Sequence, residues 1–387
     1  MEKNPIRQLG QRRPRGRDDP GRLRLWPIGW ALAACCAAGG IALAGLTWLA
    51  WALLGKPKLP YSSTISLHDW IGVLQLVFAS VAGAGALVAL VVAYRWQKVA
   101  ETQTAHDRTR VLAGQFITIA AQLGDDQAAV RLAGVHAMAG LADDWEENRQ
   151  TCIDVLCAYL RMPYEPDPGD EAPSADRLAF RGFREVRHTV IRVIATHLRP
   201  EAAVSWQGLN FDFTGVTFDG GDFSRIVFSG GEVSFDRAVF SGGEVSFDRA
   251  EFSGGAVSFN GAEFSGIVSF DNAEFCGGAV KFGGAAFSGG IVSFNNAEFS
   301  GSAVSFEAAQ FSRSVLFFGG AVFSGGIVSF DNAEFCGGVV NFYEAAFSGG
   351  EVDFSNAADW SKPPMLYWKG TPPAKVKLPA AIGGQSQ

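Results

Sequence analysis

Histidine is scarce in this chain. The five residues stand at 68, 106, 136, 188 and 197, and none lies beyond His197. The chain beyond His197 therefore has no imidazole for acid–base chemistry or for ligating a metal. Cysteine is scarce as well. The six residues fall at 35, 36, 152, 157, 276 and 336 with no CxxC pair. That spacing excludes a disulfide framework and fits a reducing compartment. The motifs GxxxxGK[ST], HExxH and GxSxG are missing, and so is the calcium-binding GGxGxDxUx nonapeptide. No catalytic residue, cofactor or metal is expected, and the chain reads as non-enzymatic.

Charge is missing from two long runs. Residues 26–54 and 70–94 contain no Asp, Glu, Lys or Arg. Each exceeds the ~20 apolar residues that cross a bilayer as a helix. Trp26, Trp48 and Trp51, then Trp70, Tyr94 and Trp96, stand toward their ends, where aromatic rings favour the lipid interface. The runs predict a two-span transmembrane hairpin over residues 26–96. Eight Lys and Arg against three acids fill residues 1–25, and Arg95, Lys98, Arg108 and Arg110 follow the second run. The positive-inside bias then puts both termini in the cytoplasm, at the plasma membrane, with residues 1–25 a basic cytoplasmic tail. No charge inside either span offers a transport pathway.

Residues 97–200 read as a helical neck. Val111, Leu112, Phe116, Ile119 and Leu123 recur at helical spacing, and Gly124-Asp125 interrupts them. A second helix carries Val130, Val135, Met138 and Leu141. Asp144, three residues before Glu147, predicts a capping box for a third helix through Cys152 and Leu160. The acidic, Pro-rich stretch 163–176 predicts an exposed loop. The helix after it carries Arg177, Arg181, Arg184, Arg187 and Arg192 around an apolar face; such a basic helix can bind lipid headgroups or nucleic acid, but the arginines are expected on a solvated side, balancing the acidic solenoid.

Beyond residue 200 the chain repeats itself every twelve residues. Phe centres alternate spacings of five and seven: Phe235, Phe240, Phe247, Phe252, Phe259, Phe264; after one shortened step Phe270, Phe275, Phe282, Phe287, Phe294, Phe299, Phe306, Phe311; then Phe323, Phe330, Phe335, Phe342, Phe347, Phe354. A Val or Ala stands two residues before nearly every centre. Each unit therefore holds two five-residue pieces, VSFDR and AEFSG, and two extra residues. Two corners look short, Ser265-Gly266-Ile267 and Ser312-Arg313-Ser314, and Phe318 is expected at the corner after the second.

This pattern resembles the pentapeptide-repeat family, whose motif centres a Leu or Phe and puts a small residue two positions before it. The resemblance implies a right-handed quadrilateral β-helix over residues 201–360. Residues i and i−2 of an extended piece share a side, so centre and small residue both face the axis. With the insertions, a coil should hold about 24 residues, giving about six coils at ~4.8 Å each. Gly-rich insertions should form ridges at two opposite corners. Trp360 should close the far end, with a disordered tail over 361–387. Residues 110–200 with the array also resemble the neck of membrane-tethered pentapeptide proteins of actinobacteria.

A 24-residue coil predicts columns. Glu251, Glu274 and Glu298 should stack, and Glu263 and Glu334 should lie on the opposite face with Ala286 and Gln310 between them. Ser234, Ser246, Ser258, Ser269, Ser293, Ser305 and Ser329 should point outward on the other two faces, and Cys276 and Cys336 should sit on opposite faces. Residues 201–360 carry twenty acids and five bases. An excess of this sign concerns partners rather than fold. The expected function is a non-catalytic, membrane-anchored interaction scaffold, its acidic surface around those glutamates facing a protein partner with basic character. Direct nucleic-acid binding is not expected. The family resemblance implies one alternative, a DNA-mimicking binder of a type II topoisomerase, and it also implies dimerisation, here through the C-terminal end of the solenoid. A channel or transporter component is a further, weaker alternative.

Overall fold

The computed structural model describes residues 67–368 and 371–380, with scattered positions between 33 and 52. Residues 1–108 and 109–387 form two compact units. Most of the first predicted span, 26–54, lies outside the described residues. The second lies on helix α1 (Leu67–Leu123). Among the described residues no helix is long and apolar enough to cross a membrane, so the two-span expectation gains no support from the fold.

In the second unit, α1 ends at Leu123 and Gly124-Asp125 makes the predicted break. Helix α2 (Ala128–Asp144), a short 3₁₀ turn (Glu146–Asn148), α3 (Arg149–Arg161) and α4 (Ser174–Leu198) follow. Val135, Met138, Ile153, Leu156, Val190 and Ile194 interlock as their core. The expected capping box does not form. Asp144 is the last residue of α2, and Asn148, at the N-cap of α3, makes no side-chain cap bond. Instead the Arg149 guanidinium donates to the carbonyls of Ala142 and Asp143 at 2.9 and 3.2 Å, satisfying groups that a helix C-terminus leaves open.

From Phe211 onward short parallel strands stack coil on coil. Register partners stand about 24 residues apart, as Glu274 does beside Glu251 and Glu298. The rings form four columns. One runs through Phe213, Phe235, Phe259, Phe282, Phe306, Phe330 and Phe354, successive centroids 4.5 to 4.9 Å apart and nearly parallel. Its seven rings mark seven layers, one more than the periodicity predicts. The extra layer comes from Phe213, Phe218, Phe223 and Phe228, which follow one another every five residues with no insertion and so fall outside a twelve-residue repeat. The twenty predicted rings all enter the stack; Phe347, in the last coil, is half-buried and the others are buried. Each buried ring contributes roughly 1.5–3 kcal/mol.

Phe318 is not at a corner. It is fully buried between Phe294 and Phe342, at 4.9 and 4.6 Å. Leu316 takes the position two before it, facing Val292 and Val340. The spacing from Phe311 to Phe318 is the usual seven, so this corner is of normal length. The corner at Gly266 is short, yet Ile267 still pairs with Glu244 and Ile291. The deletion is absorbed at the corner and the columns stay in register.

Corners come in two kinds. After Phe235, Phe247, Phe270, Phe294 and Phe330 a tight turn closes by an amide-to-carbonyl bond of 3.0 to 3.1 Å back to the Phe. Its third residue is left-handed: Arg237, Arg249, Asn272, Asn296 and Asn332 have φ between +53° and +57°. The opposite pair of corners carries the glycine insertions. A Cβ on Gly254 would meet the Ser229 carbonyl oxygen of the neighbouring coil at 2.3 Å, so that position stacks too closely for a side chain.

The tail beyond Ser361, expected to be disordered, instead adds two strands. Met365-Leu366 pairs with Asn341-Phe342, and Val376-Lys377 pairs with Val352-Asp353. Lys377 bonds Glu351 at 2.5 Å and Asp353 at 3.3 Å. Trp360 stands edge-on to Phe335 at 5.2 Å, over the end of that column. The last coil would otherwise expose ring faces and an unpaired strand edge, and this segment covers both.

Candidate interaction surface

At the first coil, α4 meets the solenoid through one carboxylate. Asp219 follows the buried Phe218 and reaches Tyr164 Oη and Arg184 Nε at 2.6 Å and His188 Nε2 at 2.9 Å. Burial pushes its carboxyl up, but the bonds from His188, Tyr164 and Arg184 outweigh that and hold it far below the usual carboxylate range. Beside it Arg187, expected on the solvated side of α4, is buried. It donates to the carbonyls of Leu160 at 2.6 Å and Thr217 at 2.7 Å, and its guanidinium lies 4.4 Å from the Tyr164 ring centre. The first coil lacks an insertion at Gly220-Gly221, and His188 and Ile191 of α4 fill that place.

A second carboxylate repeats the arrangement. Asp143 at the end of α2 accepts from the buried Trp206 indole at 2.9 Å and faces His197 Nε2 at 3.1 Å, while the His197 and Trp206 rings stack at 4.0 Å. The acidic group at 143–147 therefore supplies a docking residue for the first coil. Two clefts flank Asp219. One, of ≈ 620 Å³, is bordered by His188, Arg192, Arg199, Asp222 and Glu244, and the other, of ≈ 560 Å³, by Tyr164, Arg184 and Asp219 itself. Their arginines already hold carboxylate partners: Arg184 with Asp219, Arg199 with Asp222, Arg192 with Glu185. These contacts build an end cap. Among the described residues no group of three His, Cys, Asp or Glu side chains is gathered to hold a metal ion.

The rod displays its acids differently. Glu251, Glu274 and Glu298 stand beside one another on one face. On the opposite face Glu263, Ala286, Gln310 and Glu334 follow in register. Cys276 and Cys336 flank these two columns, one on each face, and both thiols are free and exposed. Burial, then Glu251 and Glu274, push the Cys276 thiol up. The outward serines of the other two faces are spent internally. Ser258, Ser269 and Ser293 donate to Asp236, Asp248 and Asp271 of the preceding coil, and the Asn260 and Asn295 amides donate to Asp236 and Asp271 at 3.0 and 2.9 Å. These aspartates are ladder rungs, whereas the glutamate columns face solvent. Periodicity located the serine and glutamate columns; the aspartate ladder is missed because a polar residue two positions from a Ser reads only as surface.

The family model for pentapeptide repeats, in nine copies, matches residues 213–257. No curated protein and no solved structure matches the chain. The matched segment begins at the plain five-residue coil and runs into the coils with insertions. Over residues 213–257 the solenoid is therefore similar to pentapeptide repeats, and the columns of stacked rings that begin there continue through the later coils.

Proposed function

We propose that the chain is a non-catalytic scaffold, anchored in a membrane as actinobacterial tethered pentapeptide proteins are, that presents an acidic rod in the cytoplasm to a protein partner with basic character. The glutamate columns carry this reading. Like charges directly opposite across paired strands destabilise a sheet. Glu251, Glu274 and Glu298 nonetheless stand in adjacent coils, and among the described residues none of them forms an ion pair. Folding does not require them, since Val322 and Ala346 hold the same position in later coils. A partner that brings lysines or arginines to this face explains their placement.

Anchoring rests on the two uncharged runs. Along α1, Phe78, Leu90 and Trp96 are exposed, and a helix with apolar side chains facing outward needs lipid or another apolar surface to cover them. The test is crosslinking and capture from membranes with the full chain as bait, beside a Glu251→Gln, Glu274→Gln, Glu298→Gln variant. The wild type should retain a set of basic proteins that the variant loses. Equal capture by both would end the scaffold reading, and release of the chain from membranes by alkaline carbonate would end the anchoring.

A further inference from the structure

One face of the solenoid differs from the other three. Ile267, Ile291, Val315 and Val339 stand in one register row on its outer side. Ile267, Ile291 and Val339 keep 45%, 41% and 38% of their surface exposed. Each of the four follows a small corner residue, Gly266, Gly290, Ser314 or Gly338, so nothing screens the row on that side. Phe317, two residues after Val315 on the same side of its strand, adds to the apolar surface. Nothing in the fold requires this row: Glu244 occupies the same position one coil earlier, beside Ile267.

The two faces that adjoin this one carry the glutamate columns, Glu251, Glu274 and Glu298 on one side and Glu263 and Glu334 on the other. An apolar row between two acidic rows is the complement of a helix with an apolar stripe flanked by lysines or arginines. The spacing also favours a helix. Beneath the row, the rings of Phe247, Phe270, Phe294, Phe318 and Phe342 repeat at 4.6 to 4.9 Å. A helix laid along the rod presents side chains three or four residues apart, about 4.5–6 Å. A strand presents every second residue at about 6.6 Å and falls out of step after one rung.

We propose that this face docks a basic amphipathic helix of a partner protein, its apolar stripe on the Ile267–Val339 row and its cationic flanks on the glutamate columns. The proposal rests on the scaffold reading and names the partner's form.

The test uses the full chain in zwitterionic nanodiscs, with empty discs subtracted. The probe is a fluorescent eighteen-residue Leu/Lys peptide with leucines at helical spacing. A scrambled peptide of the same composition is the comparison. The amphipathic peptide should bind at least ten-fold tighter than the scrambled one. Ile267→Asp with Ile291→Asp should erase that advantage although it adds negative charge, and Ile267→Ser with Ile291→Ser should do the same. Equal binding of both peptides, unaffected by either double variant, would overturn the docking face and leave the acidic scaffold standing. Binding of neither peptide above empty discs would overturn both.

Discussion

The ring of Phe318 lies parallel to that of Phe342, 4.6 Å away, with 4° between their planes. Leu316 beside it belongs to the same inward side, so this coil fills its interior as its neighbours do. Phe318→Ala should cost about 3–5 kcal/mol, since a cavity inside a continuous stack has few ways to collapse. Phe317→Ala, on the outward side of the same strand, should cost about 1 kcal/mol or less. Urea denaturation followed by circular dichroism distinguishes the two, and equal costs would show that the stack is interrupted here.

The glycine corners predict a contrast with the tight turns. Gly278 has φ +70°, and a Cβ there would meet the Gly255 carbonyl oxygen at 2.5 Å. Gly278→Ala should therefore destabilise by about 2–4 kcal/mol, from the left-handed backbone and the clash together. Ala308 holds φ +53° at a tight turn. Left-handed backbone costs a residue with a Cβ about 1–2 kcal/mol, and glycine returns part of this through its greater unfolded freedom. Ala308→Gly should leave stability unchanged or raise it by up to about 1 kcal/mol. Thermal denaturation of the two variants should move in opposite directions or, at the least, differ widely.

Asp219 gives the end cap a pH dependence. Its folded carboxyl is held low, so it contributes stability that is fully present above the unfolded value of about 4 and is lost as pH falls below it. Asp219→Ala should cost about 3 kcal/mol at neutral pH, because Tyr164, Arg184 and His188 all lose their acceptor. The variant should also lose part of the acid sensitivity seen in the wild type between about pH 4 and 2. Denaturation midpoints measured across that range check both statements, and parallel pH curves for the two proteins would contradict the assignment.

Four described cysteines should divide sharply in alkylation. Burial pushes the Cys152 and Cys157 thiols up to about 11 and about 12, and both are enclosed by the helical core. Cys276 and Cys336 lie outside. Native protein treated with iodoacetamide at pH 8 should be labelled at 276 and 336 and spared at 152 and 157, as read by peptide mass spectrometry. Glu274→Gln should speed labelling of Cys276 by removing one of the carboxylates that hold its thiolate back, and should leave Cys336 as it was. An unchanged Cys276 rate would mean that the glutamate column exerts little field.

The sequence by itself determined the solenoid, because Phe at alternating intervals of five and seven can share one interior only if the chain turns a corner after each piece. From that period the 24-residue coil, the Glu251–Glu274–Glu298 column and the opposite placement of Cys276 and Cys336 all follow arithmetically. Tertiary structure alone decided how the stack ends. Arg187 reads as one of five surface arginines, and only the carbonyls of Leu160 and Thr217, from other parts of the chain, draw it inside. Asp143 and Asp219 are unremarkable until Trp206 and His188 arrive beside them. The tail was expected to be disordered for its prolines, and it pairs because the last coil leaves strand edges open to it. Repetition makes contacts between equivalent positions, which a period reveals. The ends of a repeat meet non-equivalent partners, and no period reports those.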